Sequence, residues 1–220
     1  RRPLAAARRL LIRAERGDRR WLAGRGRLGS AVPAWAGRLY RRSLLVLRTL
    51  TARGTGSVAA GAREGWAHVW PRDAAAVALA YEAAGYSVEA RRVAGFLNGL
   101  DLDGAARFDG DGRPIPDRGP QGDAAGWVAA ASEATGLSLA ERGRWRGVPD
   151  YWEGAGGDYL GNAIAARRTA AVAAEFAIGG GLLRAARDRD SGLDAAAAWA
   201  VEPFAQPALY SRARETMLRL

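Results

Sequence analysis

The 220-residue chain contains no cysteine, and all of its 33 basic residues are arginine, with no lysine among them. It has one histidine and one methionine. Without cysteine there is no disulfide framework and no thiolate metal site. A single His68 argues against a histidine-built metal centre or a Ser-His-Asp triad. No run of about 18 apolar residues occurs, so no membrane-spanning helix is predicted. Leu4 to Ile12 is interrupted by Arg8 and Arg9 and is no secretory leader core. No strand-rich region stands out, and no G-x-G-x-x-G follows a strand. Neither a metal nor a cofactor is therefore expected, and any catalysis must rest on carboxylates. Cysteine absence leaves the compartment open, with the cytoplasm favoured.

What is present suits a globular chain, 49% hydrophobic and 25% charged. The formal net charge is +10. The arginines are dispersed, dense only near the start (Arg8, Arg9, Arg13, Arg16, Arg19 and Arg20). Arginine in place of lysine, with abundant Ala and Gly, reads as coding bias, so neither nucleic acid nor membrane is expected as partner.

Residues 1–35 read as an Arg-rich N-terminal extension or linker, with Gly24 to Arg27 a turn. Leu39, Leu44, Leu45, Leu47 and Leu50 recur at helical spacing over about Trp35 to Arg53. Gly54-Thr55-Gly56 stops that helix, and Ser57 to Ala60 reads as extended. Asp73 to Ala84 is a helix ending at Gly85, and Ser87 reads as the N-cap of a helix through Leu100. Asp101 to Pro120 is a Gly/Pro/Asp loop. Gln121 to Thr135 is a helix ending at Gly136. Residues 140–158 form a second loop. Tyr159 to Ile178 reads as one long helix, followed by helices over Leu182 to Arg187, Leu193 to Val201 and Ala208 to Leu220. The pattern is all-α with chemistry on loops.

Two aromatic–acid clusters precede helices. In Gly65-Trp66-Ala67-His68-Val69-Trp70-Pro71-Arg72-Asp73, Asp accepts and Arg donates, so the pair can grip vicinal hydroxyls while Trp offers a flat face to a sugar ring. The bland alternative for Asp73 is a first-turn carboxylate favoured by the helix dipole. In Pro149-Asp150-Tyr151-Trp152-Glu153, flanking rings would desolvate Glu153 and favour the neutral form that a general acid needs. Asp123 reads as a helix cap, with a sugar contact as the functional alternative. Trp127 is expected in the core, and Trp145 is open between core and pocket. Asp103, Asp109 and Asp111 lack the spacing and closing Glu of a calcium loop.

Together these segments resemble glycoside hydrolase family 15, the glucoamylase-type α-glucosidases that include some bacterial trehalases. The resemblance is carried by Thr55 to Ala60, Trp66 to Asp73, Gln121 to Gly126, Pro149 to Glu153 and Ser191 to Ala195, in order from about residue 37 to 220. It implies an α/α six-fold barrel, with residues 36–220 as its N-terminal half to two thirds, truncated before the C-terminal helices. It implies hydrolysis of α-glucosidic bonds from the non-reducing end with inversion. Arg72 and Asp73 would bind hydroxyls, Trp70, Trp152 and Trp66 would line the subsite, and Glu153 would be the general acid. Asp123 joins them as a substrate contact. The partner would be an α-glucan, an oligosaccharide or trehalose, together with the missing C-terminal part of the domain.

Trp66 and His68 stand where that family commonly has tyrosines, and Gly154 where a second Glu often follows. Inversion needs a second carboxyl roughly 6.5–9.5 Å from the acid. None is convincing here; Glu202 qualifies only by its aromatic neighbour. The expectation is an isolated chain that is inactive. The alternatives are a non-catalytic carbohydrate-binding relative and a basic helical module for nucleic acid.

Overall fold

A computed structural model describes residues 2–26, 28–138 and 158–220. The chain is mostly helical. Within the Arg-rich start, Arg2–Ala23 form a helix, α1. Only the end of α1 is tied down. Trp21 stacks on Tyr86 with ring centroids 4.1 Å apart, and its Nε1 donates to Glu89 at 2.9 Å. Leu4, Leu10 and Leu11 remain exposed.

Helix α2 (Ala34–Leu50) ends where Thr51 pairs with Val58 in an extended bridge. Three helices follow as the centre of the fold: α3 (Pro71–Ala83), α4 (Ser87–Asn98) and α5 (Ala124–Thr135). Helix α3 buries Ala74, Ala75, Val77, Ala78 and Tyr81, and α5 buries Trp127, Val128, Ala130, Ala131 and Thr135. Residues so placed cover more than one face, as in helices enclosed by others. Helix α4 is amphipathic, presenting Ala90, Val93, Ala94 and Leu97 to the core. Fully burying a Leu such as Leu97 contributes on the order of 2 kcal/mol.

Both central helix ends follow from glycine. Gly85 has φ 82°, and Tyr86 N–H donates to Tyr81 O at 2.8 Å while Gly85 N–H donates to Glu82 O at 3.0 Å. Gly136, at φ 65°, repeats this pattern with Leu137 N–H on Ser132 O. Each is a six-to-one, five-to-two closure that needs a left-handed residue, which glycine supplies without a Cβ clash. The Gly85 turn sends α4 back along α3. The N-terminus of α5 lies beside that of α3, as the Arg72–Asp123 bond requires. Directions thus alternate through α3, α4 and α5.

Helix α5 approaches α6 (Leu160–Ala165) closely at Gly126, where a Cβ would stand 2.2 Å from the Ala165 carbonyl oxygen. Here the expected long helix from Tyr159 to Ile178 is corrected. It is two short helices, α6 and α7 (Thr169–Glu175), with Arg167 at φ 54° between them. Beyond α7, Ala177–Ile178 (β1) and Gly181–Leu182 (β2) pair antiparallel around Gly179 and Gly180. The helix expected over Leu182 to Arg187 is therefore strand and turn. Its Leu182 N–H is taken by Thr216 Oγ1, 34 residues away, at 2.8 Å. Leu193 to Val201, expected as a helix, forms a 3-10 segment over Ala195–Ala200, opened by Asp194 capping Ala196 N–H at 2.8 Å. The last helix is α8 (Tyr210–Arg219), entered through a turn at Pro207–Leu209.

Candidate functional site

The strand-like segment before α3 is held on both sides. Ala60 N–H donates to His68 O at 2.9 Å, and Gly61 N–H donates to Trp66 O at 3.0 Å. On the other side Val69 and Phe108 exchange both backbone bonds, at 2.8 and 2.9 Å. Phe108 is fully buried and anchors the Gly/Pro loop against this segment. Pro71, at the first helical position, lacks the N–H that would be unsatisfied there and starts α3 directly after Trp70. Arg72 and Asp73 therefore fall in the first turn, at one end of the helix group.

Trp70 is only 2% exposed. It lies beneath Arg118 and Arg107, whose guanidinium carbons are 5.3 and 5.8 Å from its ring centroid. Trp66 sits beside it, centroids 6.1 Å apart, and is 47% exposed. Trp70, expected to line a sugar subsite, is corrected here: it has almost no free surface, whereas Trp66 does. Trp70 supports from behind, and Trp66 presents surface.

Arg107 is fixed by Asp117, with Nε 3.1 Å from Oδ1, and donates from Nη1 to Gly65 O at 3.0 Å. The Asp117 carboxyl is held below the usual carboxylate range, chiefly by this hydrogen bond to Arg107. Neither Arg107 nor Arg118 was legible as a site residue, because only the fold brings their loop over Trp70.

Asp123 stands at the N-terminal boundary of α5, where capping was the expected role. The structure gives it another. Its backbone is right-handed helical, at φ −94° and ψ −13°, and its side chain caps no N–H. A capping residue normally takes the extended conformation, which turns its carboxylate back over the first turn. Asp123 Oδ2 instead accepts from Arg72 Nη1, and the Asp123 side chain is fully buried. A buried carboxylate bonded to Arg72 orients the guanidinium from behind.

Asp73 combines two properties. It is exposed to solvent. Its pKa is nevertheless raised, first by desolvation, against opposing contributions from Arg72 and its own backbone N–H.

Trp127, expected in the core, packs edge-on against Trp199 and Phe204 with centroids 5.0 and 5.1 Å away. Glu202 is exposed in the turn after Ala195–Ala200, its N–H on Ala198 O at 3.1 Å. Asp109 Oδ1 accepts the N–H groups of Asp111 and Arg113, each at 2.9 Å, which makes the Asp-rich segment a tight turn. Glu153, Trp152 and Trp145 lie outside the described residues.

No family model matches this chain, and no curated protein sequence matches it. Its fold is similar to that of solved structures named as glycosidases. Two single-substitution forms each give a TM-score of 0.67, and a wild-type form gives 0.64. In each case identity is 19%, over 87% of this chain and 71% of the other. A helical fold shared with glycosidases is what these likenesses establish.

Proposed function

We propose that this chain is a glycoside hydrolase of the glucoamylase type, built on an α/α toroid and directed at the non-reducing end of an α-glucoside. The observation that carries the reading is the bond from Arg72, beside Asp73 in the first turn of α3, to Asp123 at the start of α5, with the exposed Trp66 in the segment that leads into α3. Alternating helix directions and a buried α3 and α5 suit a ring of inner and outer helices. The likeness to glycosidase folds points to the same class.

In this reading Arg72 donates to, and Asp73 accepts from, adjacent hydroxyls of one glucose unit, while Trp66 covers an apolar face of the ring. Trp152 completes the subsite, and the buried Trp70 backs Trp66 from beneath. Glu153 protonates the leaving glycosidic oxygen. Inversion also requires a carboxylate to activate water. Asp73 is committed to hydroxyls and Asp123 to Arg72, so no base is assigned within this chain. Sugar binding without turnover is the expected behaviour of residues 1–220.

Calorimetric titration with maltose, trehalose and the β-linked cellobiose tests this. The α-linked sugars should bind about tenfold or more tightly than cellobiose, a difference of about 1.4 kcal/mol. Equal affinities would end the α-glucoside assignment. Glucose released from maltose by this chain would show that it holds its own base.

A further inference from the structure

A half-open cleft of about 240 Å³ lies between the end of α1, the end of α2, α3 and α4. It shares no residue with the sugar site. Tyr81, on its floor, is eight residues beyond Asp73 in α3, about 12 Å along the helix axis.

The floor of this cleft is acceptor-rich. Thr51 Oγ1 donates its proton to Leu47 O at 2.8 Å, so in its 3.0 Å bond with Tyr81 the phenol is the donor. The Tyr81 oxygen keeps its lone pairs. Glu89 accepts from Trp21 Nε1 through one carboxylate oxygen, Oε1. Burial raises the Tyr81 pKa, so the phenol stays neutral at ordinary pH.

The cationic side is different. Arg48 is committed, its Nη1 on Asp18 Oδ1 at 2.7 Å and its guanidinium 5.0 Å from the Trp21 ring centroid. Arg53 and Arg92 line the same cleft and have no carboxylate partner among the described residues. The backbone segments that carry them are in close contact. Gly56 has φ 85°, and a Cβ on it would stand 2.4 Å from the Arg92 carbonyl oxygen. The turn that carries Arg53 is thereby pressed against the turn of α4 that carries Arg92. Two guanidinium groups lining one cleft beside a polar floor offer a set of hydrogen-bond donors to an anion.

We propose that this cleft binds a small phosphorylated polyol of the sugar-phosphate class, with the phosphate at Arg53 and Arg92 and the hydroxyls on Glu89 and Tyr81. Guanidinium forks match phosphate oxygens, and carboxylate and phenol oxygens accept from hydroxyls. Trp21 has Tyr86 stacked on its ring and Arg48 over it, so it walls the cleft and offers no platform for a base or other flat ring.

Titration calorimetry with glucose 6-phosphate at low salt tests the proposal. Saturable binding should weaken about tenfold or more when Arg53→Gln and Arg92→Gln are combined, as expected on losing charge-assisted hydrogen bonds. Circular dichroism of that variant should match the unsubstituted chain, since both arginines are exposed. Glu89→Gln should keep phosphate binding but lose the preference for glucose 6-phosphate over inorganic phosphate. Asp73→Asn should leave this affinity unchanged, which separates the cleft from the sugar site. Absence of saturable binding, or binding indifferent to the double substitution, would overturn the proposal. Equal affinity for inorganic phosphate would overturn its polyol part.

Discussion

Arg72 Nη1 donates to Oδ2 of Asp123 across 51 residues of sequence, and the receiving carboxylate is fully buried. This bond fastens the first turn of α3 to the start of α5. It orients the Arg72 guanidinium.

Removing that carboxylate has a defined cost. Asp123→Ala takes the buried carboxylate partner from an Arg72 side chain that is only 24% exposed, and breaking such a pair costs about 3 kcal/mol. Urea unfolding followed by circular dichroism should show the midpoint fall accordingly. A loss under about 0.5 kcal/mol, the range of ordinary surface substitutions, would mean that the pair does not hold the helix ends together.

Asp73 should behave in the opposite sense. Its folded pKa is raised by desolvation from the ordinary 3.8. A raised carboxylate contributes stability that is fully present below the unfolded value and is lost as pH rises through the folded value. At pH 7 the wild-type chain therefore carries an ionised group that folding disfavours. Asp73→Asn should melt at an equal or higher temperature than wild type at pH 7, with the difference shrinking toward pH 3.5. Thermal scans across that range check the sign, and a lower melting temperature at pH 7 would contradict it. Gained stability with lost sugar binding is the signature of a functional carboxylate.

Gly126 is a packing glycine in a segment that resembles a family motif. A Cβ there would stand 2.2 Å from the Ala165 carbonyl oxygen and 2.9 Å from its Cβ. Backbone must move to admit it. Gly126→Ala should destabilise by about 1–3 kcal/mol, the usual penalty for overpacking, despite its better helix propensity. Urea unfolding measures this, and a neutral or stabilised variant would show that α5 and α6 are not so tightly apposed.

These sites show which parts of the architecture were legible from the residues. Helices α3, α4 and α5 were, because their punctuation is local: Pro71 opens one, and Gly85 and Gly136 close two through left-handed caps. The region from Tyr159 to Val201 was not. Its Ala-rich composition favours helix, but Arg167 adopts a left-handed turn and Leu182 gives its N–H to distant Thr216. Long-range bonding overrides propensity there.

The aromatic–acid segment before α3 could be seen in the sequence, yet the burial of Trp70 under Arg107 and Arg118 could not, since the Gly/Pro loop supplies both arginines. Ser87 illustrates the same limit at smaller scale. Expected as a cap, it is the first residue of α4, and its hydroxyl donates back to Glu82 Oε1 at 2.9 Å. Asp123 has the sequence position of a cap or a sugar contact, and its bond to Arg72, 51 residues away, is visible only in the fold.

In the proposed function, Asp73 and its neighbours hold one glucose unit. Tryptophan fluorescence during maltose titration tests it directly, because the half-exposed Trp66 ring would be covered by a bound sugar. Emission should change saturably for the wild-type chain and not for Asp73→Asn, with the fold of that variant intact by circular dichroism. An identical titration curve for wild type and Asp73→Asn would contradict it.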